Sequence, residues 1–272
     1  MFLEKHKVAI IGAGRIGESL IAGLLDVKAI PADRIIATCR HQPKLDVLHK
    51  KYGIKVTTSN VQAVEEADLV VVAVKPQVVA EVLPEIAPAL SPKKLLISVA
   101  ASVTTALFER GLEGAIPVVR AMPNTPCFVK TGMTGVCGGK HATPEHLALT
   151  QRIFQAIGRC LVVEERHMDA VTGLSASGPA FIYMVIESLA EAGVKVGLPR
   201  AVATELAAQT VLGSAQMVLV TGDHPALLKD QVTTPAGCTI DGILELEEGG
   251  MRVTLIKAVV RAVRRASELV TK

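Results

Sequence analysis

The stretch VAIIGAGRIG, residues 8–17, decides the fold of this chain. Four apolar residues run directly into Gly12, Gly14 and Gly17, and an amphipathic segment, residues 16–25, follows. This G-x-G-x-x-G spacing between a strand and a helix predicts a tight turn, a close backbone approach to a pyrophosphate, and tight packing of helix on strand. Because the free N–H groups and positive end of a helix favour an anion, the stretch indicates a dinucleotide site. A merely structural glycine turn is the alternative.

Strand and helix patterns alternate through the first part of the chain. Near-continuous apolar strands separated by helices predict a mostly parallel sheet that is buried on both faces. The predicted strands are residues 8–11, 34–39, 55–57, 69–74, 95–99, 118–122, 134–137 and 161–163.

After Glu164 the pattern becomes helical throughout, with predicted helices at residues 171–192, 200–220, 240–247 and 252–270. The first two are rich in alanine and apolar over much of their circumference, which is more than a surface helix of a monomer should be. We therefore expect a second, all-α domain that completes its core against another subunit. The predicted α/β domain covers residues 1–164 and the helical domain covers residues 165–272.

Composition excludes several classes of function. The 272 residues carry a net charge of only +3 and no Trp, so neither a nucleic acid nor a membrane is an expected partner. The longest purely apolar stretches, such as LVVVAV at residues 69–74, are too short to span a bilayer. The five Cys form no C-x-x-C pair and the seven His are scattered, which predicts reduced thiols, a cytoplasmic protein and no metal site.

The residues after the second predicted strand bear on the choice of cofactor. A fold selective for NAD usually places an acid there, on the ribose hydroxyl. This chain has Thr38-Cys39-Arg40-His41 instead. A guanidinium clamps a phosphate through two hydrogen bonds, so Arg40 favours the extra phosphate of NADP. The alternative is that Arg40 is a solvated loop residue.

The stretch VTTPAGCTIDG, residues 232–242, predicts a helix start without any charged residue in its first positions. Thr234 is a good N-cap, and Pro235 suits the first helical position, where its missing N–H has no cost. The amides of residues 236–239 would then include unpaired donors, which an anion could fill. The alternative is that Thr234 and Pro235 only cap a helix.

Further motifs connect the chain with one enzyme family. They are VKP (residues 74–76), SVAA (98–101), RAMPNTP (120–126), TGLSASGPAF (172–181), AGVKVGLPR (192–200) and VTTPAGCTI (232–240). With them the chain closely resembles the pyrroline-5-carboxylate reductase family, whose members catalyse the last step of proline biosynthesis. The likeness runs in order from Val8 to Leu269, and VTTPAGCTI is its most specific part.

This resemblance implies a Rossmann-type dinucleotide-binding domain followed by an all-α dimerisation domain. In the family the helices of two subunits interleave and dimers often form rings, while hydride passes from NADPH or NADH to the ring imine. By matching position, the cofactor contacts would be Gly12, Ala13, Gly14, Arg15, Ile16, Gly17, Cys39, Arg40, Asn60, Val74, Lys75, Pro76 and Ala101. The substrate contacts would be Glu165, Val232, Thr234, Gly237, Cys238 and Thr239.

Within that set, Thr239 is the catalytic candidate. Its hydroxyl would hydrogen-bond the ring nitrogen, and the helix start would bind the carboxylate of 1-pyrroline-5-carboxylate. Three positions depart from the family pattern: Thr234 replaces serine, Ala236 replaces a frequent glycine, and Glu191 replaces aspartate.

Other functions remain open at this point. A hydroxyacid dehydrogenase of similar build needs a lysine or histidine base on the first helix of its second domain. The predicted helix at residues 171–192 carries Glu187 and Glu191 but neither of those bases. Reduction of a related cyclic imine, or nucleotide binding without catalysis, are further alternatives.

Overall fold

A computed structural model describes residues 2–270 of the chain, and at its centre lies an eight-stranded sheet. The strands, numbered β1 to β8 along the chain, are Val8–Ile11, Ile35–Thr38, Lys55–Thr57, Leu69–Val72, Leu95–Ser98, Val118–Pro123, Gly132–Gly138 and Gly158–Val162. Each predicted strand is present, with bounds within three residues of those expected. The outer ends of the predicted domains, residues 1 and 271–272, lie outside the described residues.

The spatial order of the strands is β3-β2-β1-β4-β5-β6-β7-β8. All neighbours are parallel except β6 and β7, which pair antiparallel, so the predicted mostly parallel sheet is confirmed. Chain order reverses between β1 and β4, and ligands of open α/β sheets bind at the carboxyl edge beside such a reversal.

Both faces of the sheet are covered, as the apolar strands predict. Val8 and Ile10 of β1 belong to one buried apolar cluster, whereas Ala9 and Ile11 belong to another. Because side chains alternate across a strand, these two clusters lie on opposite faces. The helices that follow the strands are α1 (Arg15–Asp26), α2 (Gln42–Tyr52), α3 (Asn60–Glu66), α4 (Pro76–Ile86), α5 (Thr105–Arg110), α6 (Pro144–Gln155) and α7 (Met168–Val171).

The remaining helices are α8 (Gly178–Lys195), α9 (Arg200–Thr221), α10 (Pro225–Gln231), α11 (Cys238–Glu248) and α12 (Met251–Val270). A π-helical turn, Thr172–Ala176, precedes α8, so the single helix predicted from residue 171 is interrupted at its start. Helix α8 extends to Lys195, and the expectation of no lysine on this helix is therefore wrong for its last turn. The sequence pattern missed α10, whose seven residues are too few to show a period.

The chain divides into two compact units. Unit 1 contains residues up to 176 and the end of α12 from residue 262, and unit 2 contains residues 177–261. Within unit 1, the Ser102 hydroxyl donates a hydrogen bond to the carbonyl of Ala266 at 3.2 Å, which attaches the end of α12. The compact units thus divide after residue 176, twelve residues beyond the predicted boundary at residue 164 (176 − 164), because the segment up to residue 176 packs within unit 1.

Unit 2 has almost no core of its own. Among its described residues, those buried are Ala190, Ala203 and Ala207, while large apolar side chains such as Met184, Leu206 and Val220 are exposed. The helical stretch Glu165–Lys195 contains an 18-residue window with a mean hydropathy of 1.2, and by length and composition alone it could cross a membrane. That result differs from the expectation that no segment is long enough, although a core helix of a soluble protein meets the same criterion.

Candidate functional site

The glycine loop after β1 has the shape that the motif predicts. Gly12 has a φ of 87°, and a Cβ there would lie 2.6 Å from Cγ1 of Val74. A Cβ on Gly17 would lie 2.9 Å from both the carbonyl of Gly12 and the side chain of Ile10. At Gly14, by contrast, a Cβ would meet only the Gly12 carbonyl at 4.0 Å, which leaves room for a ligand to approach the backbone.

Helix α1 begins without a capping side chain. Its N-cap is Gly14, and no side-chain hydrogen bond caps this end. The first amides of the helix, from Arg15 onward, therefore point outward as donors. The exposed guanidinium of Arg15 lies 5.9 Å from the centre of the Phe128 ring. The loop and helix start together fit the pyrophosphate of a dinucleotide.

Hydrogen bonds fix the next part of the site, beyond the ends of β2 and β3. The amide of Gly12 donates to Oγ1 of Thr38 at 3.1 Å. The Thr38 hydroxyl, which is only 1% exposed, donates to Oδ1 of Asn60 at 2.7 Å. Cys39 is half-buried, and Arg40 is exposed and paired with Glu81 on α4 at 2.7 Å. Two hydrogen bonds through Thr38 thus connect Asn60 with the glycine loop, and Arg40 follows Thr38 by two residues.

The other predicted cofactor residues follow β4 and β5. Val74 packs beside Gly12, Lys75 is the N-cap of α4 and Pro76 is its first residue. Ala101 follows β5 in a turn. Since β1, β4 and β5 are adjacent and parallel, their carboxyl ends meet at one edge. Unit 1 therefore brings all of the predicted cofactor residues to one edge of the sheet.

Most of the predicted substrate residues lie in unit 2, at the start of α11. The helix begins later than a cap at Thr234 would place it, because its N-cap is Gly237 and its first residue is Cys238. The prediction that Thr234 caps this helix is wrong. As at α1, no side-chain hydrogen bond caps the helix, so the amides of Cys238 and Thr239 are outward donors. Val232 is the C-cap of α10, on the other side of the connecting loop.

Thr234 instead opens a tight turn. Its carbonyl accepts a hydrogen bond from the amide of Gly237 at 3.0 Å, with Pro235 and Ala236 between them. Ala236 has a φ of 56°, which is the conformation of the third residue of a type II turn and favours glycine. A Cβ on Gly237 would lie 2.5 Å from Oγ1 of Thr234, so a larger residue at this position would require the Thr234 side chain to move.

Glu165, the remaining predicted substrate residue, belongs to unit 1. Its carboxylate accepts hydrogen bonds from the amide and the hydroxyl of Thr105, at 2.8 and 2.5 Å. The guanidinium of Arg120, on β6, lies 3.6 Å from Glu165 and 3.6 Å from Asp169 and is only 3% exposed. Glu165 therefore anchors the start of α5, and its role as a substrate contact stays a prediction.

Arg120 and Asn124 lie in the RAMPNTP motif, but the sequence alone did not predict a role for either residue. The Asn124 amide donates to the carbonyl of Ser175, in the π-helical turn, at 3.1 Å, and its Oδ1 accepts from the amide of Met133 at 2.8 Å. Thr38 was also missed. Thr38 could have been identified as a polar side chain inside an apolar strand, because a buried polar group requires a hydrogen-bond partner.

The described residues show no cluster of three or more His, Cys, Asp or Glu that could hold a metal ion. All five cysteines are free thiols. Burial raises the pKa of the Cys137 thiol to about 12, with a further contribution from the charge of Glu165. Burial likewise raises the pKa of Cys160 to about 12, whereas Cys238 is exposed at the start of α11.

Two family models match separate parts of the chain. Residues 165–269 match the family model for pyrroline-5-carboxylate reductase dimerisation, and residues 7–102 match that for NADP oxidoreductase, coenzyme F420-dependent. The dimerisation model begins where the second domain was predicted to begin, and it covers the exposed apolar helices. The chain thus contains a Rossmann-type oxidoreductase domain and a helical domain for homo-oligomerisation, and the predicted fold class is confirmed.

Individual relatives agree over the full length. The pyrroline-5-carboxylate reductase of Methanosarcina acetivorans is 45% identical over 267 residues, which are 98% of this chain and 99% of that protein. The solved structure of the Coxiella burnetii enzyme has a TM-score of 0.92 at 38% identity and covers 97% of this chain and 98% of that one. The Plasmodium falciparum pyrroline carboxylate reductase, solved with NADP bound, has a TM-score of 0.87 at 31% identity, with 98% and 99% coverage. The chain belongs to the pyrroline-5-carboxylate reductase family, whose reaction is the final step of proline biosynthesis.

Proposed function

We propose that this oxidoreductase transfers hydride from NADPH, or less readily NADH, to the C=N bond of 1-pyrroline-5-carboxylate and so forms L-proline. The observation that carries this proposal is the uncapped start of α11, which has Thr239 in its first turn. A helix start with small, uncharged residues is suited to a carboxylate, because the peptide donors and the macrodipole supply the favourable charge.

The substrate site is built around those amides. The backbone N–H groups of Cys238 and Thr239 would bind the carboxylate, so that no lysine or arginine is required. The Thr239 side chain is half-buried, and its hydroxyl would hydrogen-bond the ring nitrogen. Val232, Thr234, Gly237 and Glu165 complete the proposed set of substrate residues.

Positioning is the main contribution of the protein to this reaction. An unperturbed threonine hydroxyl is too weak an acid to protonate the imine, so the nitrogen arrives protonated or receives its proton from water. When bound, the reduced nicotinamide supplies the hydride, which adds to the imine carbon. Holding that carbon at near-attack distance can lower a barrier by roughly 7–11 kcal/mol in favourable systems.

Cofactor preference is proposed from the residues around Arg40. The glycine loop fits the pyrophosphate common to both cofactors, whereas only NADPH carries a 2′-phosphate. The guanidinium of Arg40 can bind that phosphate through two hydrogen bonds. Substitution Arg40→Ala should therefore weaken the binding of NADP+ about tenfold while changing that of NAD+ little. Titration with both cofactors measures this difference, and equal losses would contradict the role of Arg40.

Assembly and location complete the proposal. The exposed apolar helices of unit 2 support a homodimer, and we propose that dimers associate further into a ring. Free thiols such as Cys127 and Cys160 persist in a reducing compartment, which supports a cytoplasmic protein. We propose no nucleic-acid or membrane partner. Light scattering of the purified protein would test the assembly.

One assay tests the reaction itself. The protein is mixed with NADPH and the five-membered cyclic imine, and the absorbance of the reduced cofactor is followed. We expect rapid oxidation that depends on the imine, with proline as the product. Oxidation with a six-membered imine but not with the five-membered one would instead indicate a related substrate. Turnover only of a hydroxy acid or keto acid, or tight cofactor binding without turnover, would refute the proposed function.

A further inference from the structure

Two carboxylates of α4 face the part of the site that would bind the ribose. Nη2 of Arg40 donates to Oε2 of Glu81 at 2.7 Å, and both side chains are 69% exposed. One helical turn later, Oε2 of Glu85 accepts a hydrogen bond from Nδ2 of Asn60 at 2.9 Å. Each of the two polar side chains assigned to this end of the cofactor thus already has an acid as its partner.

The two contacts differ in how firmly they are held. The Asn60 side chain has a fixed orientation, because its Oδ1 accepts a hydrogen bond from the buried Thr38 hydroxyl at 2.7 Å. Its Nδ2 must therefore point toward α4 and Glu85. Arg40 and Glu81, in contrast, form an exposed pair, which can open when another anion competes for the guanidinium. The ion pair of Arg40 and Glu81 is therefore the contact in this region that can change when a cofactor binds.

We propose that Glu81 is a specificity-determining residue that limits the preference for NADPH and supports the use of NADH. This inference rests on the proposed function and on the assignment of Arg40 to the 2′-phosphate. A phosphate at Arg40 must displace the carboxylate of Glu81 or share the guanidinium with it. Since both groups are anions, Glu81 weakens the binding of NADPH.

Glu81 should not weaken the binding of NADH. Its free 2′-hydroxyl carries no charge and can donate a hydrogen bond to a carboxylate, as it does in folds selective for NAD. The chain has no acid in the segment Thr38-Cys39-Arg40-His41 where such folds place it. Glu81 supplies an acid beside Arg40 from a different element, α4. The pair can therefore serve both cofactors, with one member for the phosphate and the other for the hydroxyl.

The expected size of the effect follows from the exposure of the pair. Exposed ion pairs are weakened by solvent, and each contributes up to about a fivefold change in an equilibrium constant. We therefore expect Glu81→Gln to tighten the binding of NADP+ about threefold to fivefold. Binding of NAD+ should be unchanged or weakened by about twofold, because the amide replaces the carboxylate as the acceptor for the hydroxyl.

The test measures dissociation constants of NADP+ and NAD+ by calorimetry, for the intact protein and its variants. Glu66→Gln is the matched control. Glu66 is also a carboxylate paired with a cation, Lys55 at 3.5 Å, so this variant changes the net charge equally. We expect it to leave the ratio of the two constants unchanged. A change in that ratio as large as for Glu81→Gln would mean that overall charge causes the effect, and would overturn the proposal.

The variant Arg40→Ala distinguishes the role of Glu81 from the assignment of Arg40 to the 2′-phosphate. If Arg40→Ala selectively weakens NADP+ but Glu81→Gln leaves the ratio unchanged, the proposed function stands and the role of Glu81 is refuted. In the Arg40→Ala background, Glu81→Gln should no longer tighten NADP+ by more than the Glu66→Gln control, and an undiminished effect would also refute the role of Glu81. Failure of the wild-type protein to oxidise NADPH with the imine would refute the proposed function instead.

Discussion

Helices α1 and α11 both begin after a glycine N-cap and without a capping side chain, but the loops that precede them are held in different ways. Helix α1 starts after Gly14 and α11 starts after Gly237, and neither N-cap accepts a hydrogen bond through a side chain. Both helix starts therefore have free amides that can bind an anion, and by our proposal the first binds a pyrophosphate and the second a carboxylate.

The loops before these two helices are fixed by different contacts. The loop before α1 is fixed by the core, because Gly12 packs on Val74 and Gly17 packs on Ile10. The loop before α11 is exposed and is fixed by one local turn, in which the amide of Gly237 bonds to the carbonyl of Thr234. Substitutions at the first start should therefore damage the fold together with binding, whereas those at the second should change function at little cost in stability.

The largest effect is expected at Gly17. Its replacement by alanine would place a Cβ 2.9 Å from the Gly12 carbonyl and from Ile10, and such overpacking costs about 1–3 kcal/mol. Gly17→Ala should therefore lower the free energy of unfolding and abolish cofactor binding. Gly14→Ala is the matched control, because its Cβ would have space within the chain. It should keep the unfolding free energy within about 1 kcal/mol while weakening the cofactor at least tenfold. Denaturant titration and calorimetry measure the two quantities, and equal stability of both variants would contradict the packing difference.

At α11 the substitution Thr239→Val should act on catalysis alone. Loss of one well-placed hydrogen bond to the reacting group typically lowers kcat about a hundredfold or more. The control is Thr233→Val, since the Thr233 hydroxyl is already bonded to the carbonyl of Lys229 at 2.8 Å. We expect it to retain kcat. Steady-state kinetics and NADP+ titration of both variants test this separation, and loss of NADP+ binding in Thr239→Val would show that the two anion sites are not independent.

Thiol labelling compares the accessibility of the two regions. Cys238 is exposed at the start of α11, whereas Cys137 and Cys160 are buried and their pKa values are raised to about 12 by burial. Because the thiolate is the reactive form, a raised pKa slows alkylation at neutral pH. An alkylating reagent should modify Cys238 before the two buried thiols, and bound proline should slow that reaction several-fold. Mass spectrometry identifies the site, and protection by NADP+ instead of proline would contradict the assignment of this helix start to the substrate.

The smallest effect is expected at Ala236. Its φ of 56° is unfavourable for a residue with a Cβ by roughly 1–2 kcal/mol, and part of that is regained by glycine. Glycine also loses more conformational entropy on folding, so Ala236→Gly should raise the free energy of unfolding by no more than about 1 kcal/mol. The opposite variant, Ala236→Val, should lower it. Thermal unfolding distinguishes the two, and a lower Tm for Ala236→Gly would rule out the strain assigned to this turn.

Local pattern was sufficient for much of the fold. The apolar runs predicted every strand, and the glycine spacing predicted the loop between β1 and α1, because packing on a sheet imposes a fixed requirement for small residues there. The pattern did not predict the short α10 or the antiparallel pairing of β6 and β7. Neither a seven-residue helix nor the direction of a strand leaves a period in the sequence.

The sequence by itself determined the family, the two-part organisation and the candidate residues of both anion sites. Only the tertiary structure decided that α11 begins at Cys238, that Glu165 is held by Thr105, and that Arg40 is paired with Glu81. The physical reason is distance along the chain. A glycine loop or an apolar strand is specified by neighbouring residues, whereas the partner of a charged side chain is set by how separate elements pack, and in the Arg40 pair the two residues are 41 positions apart.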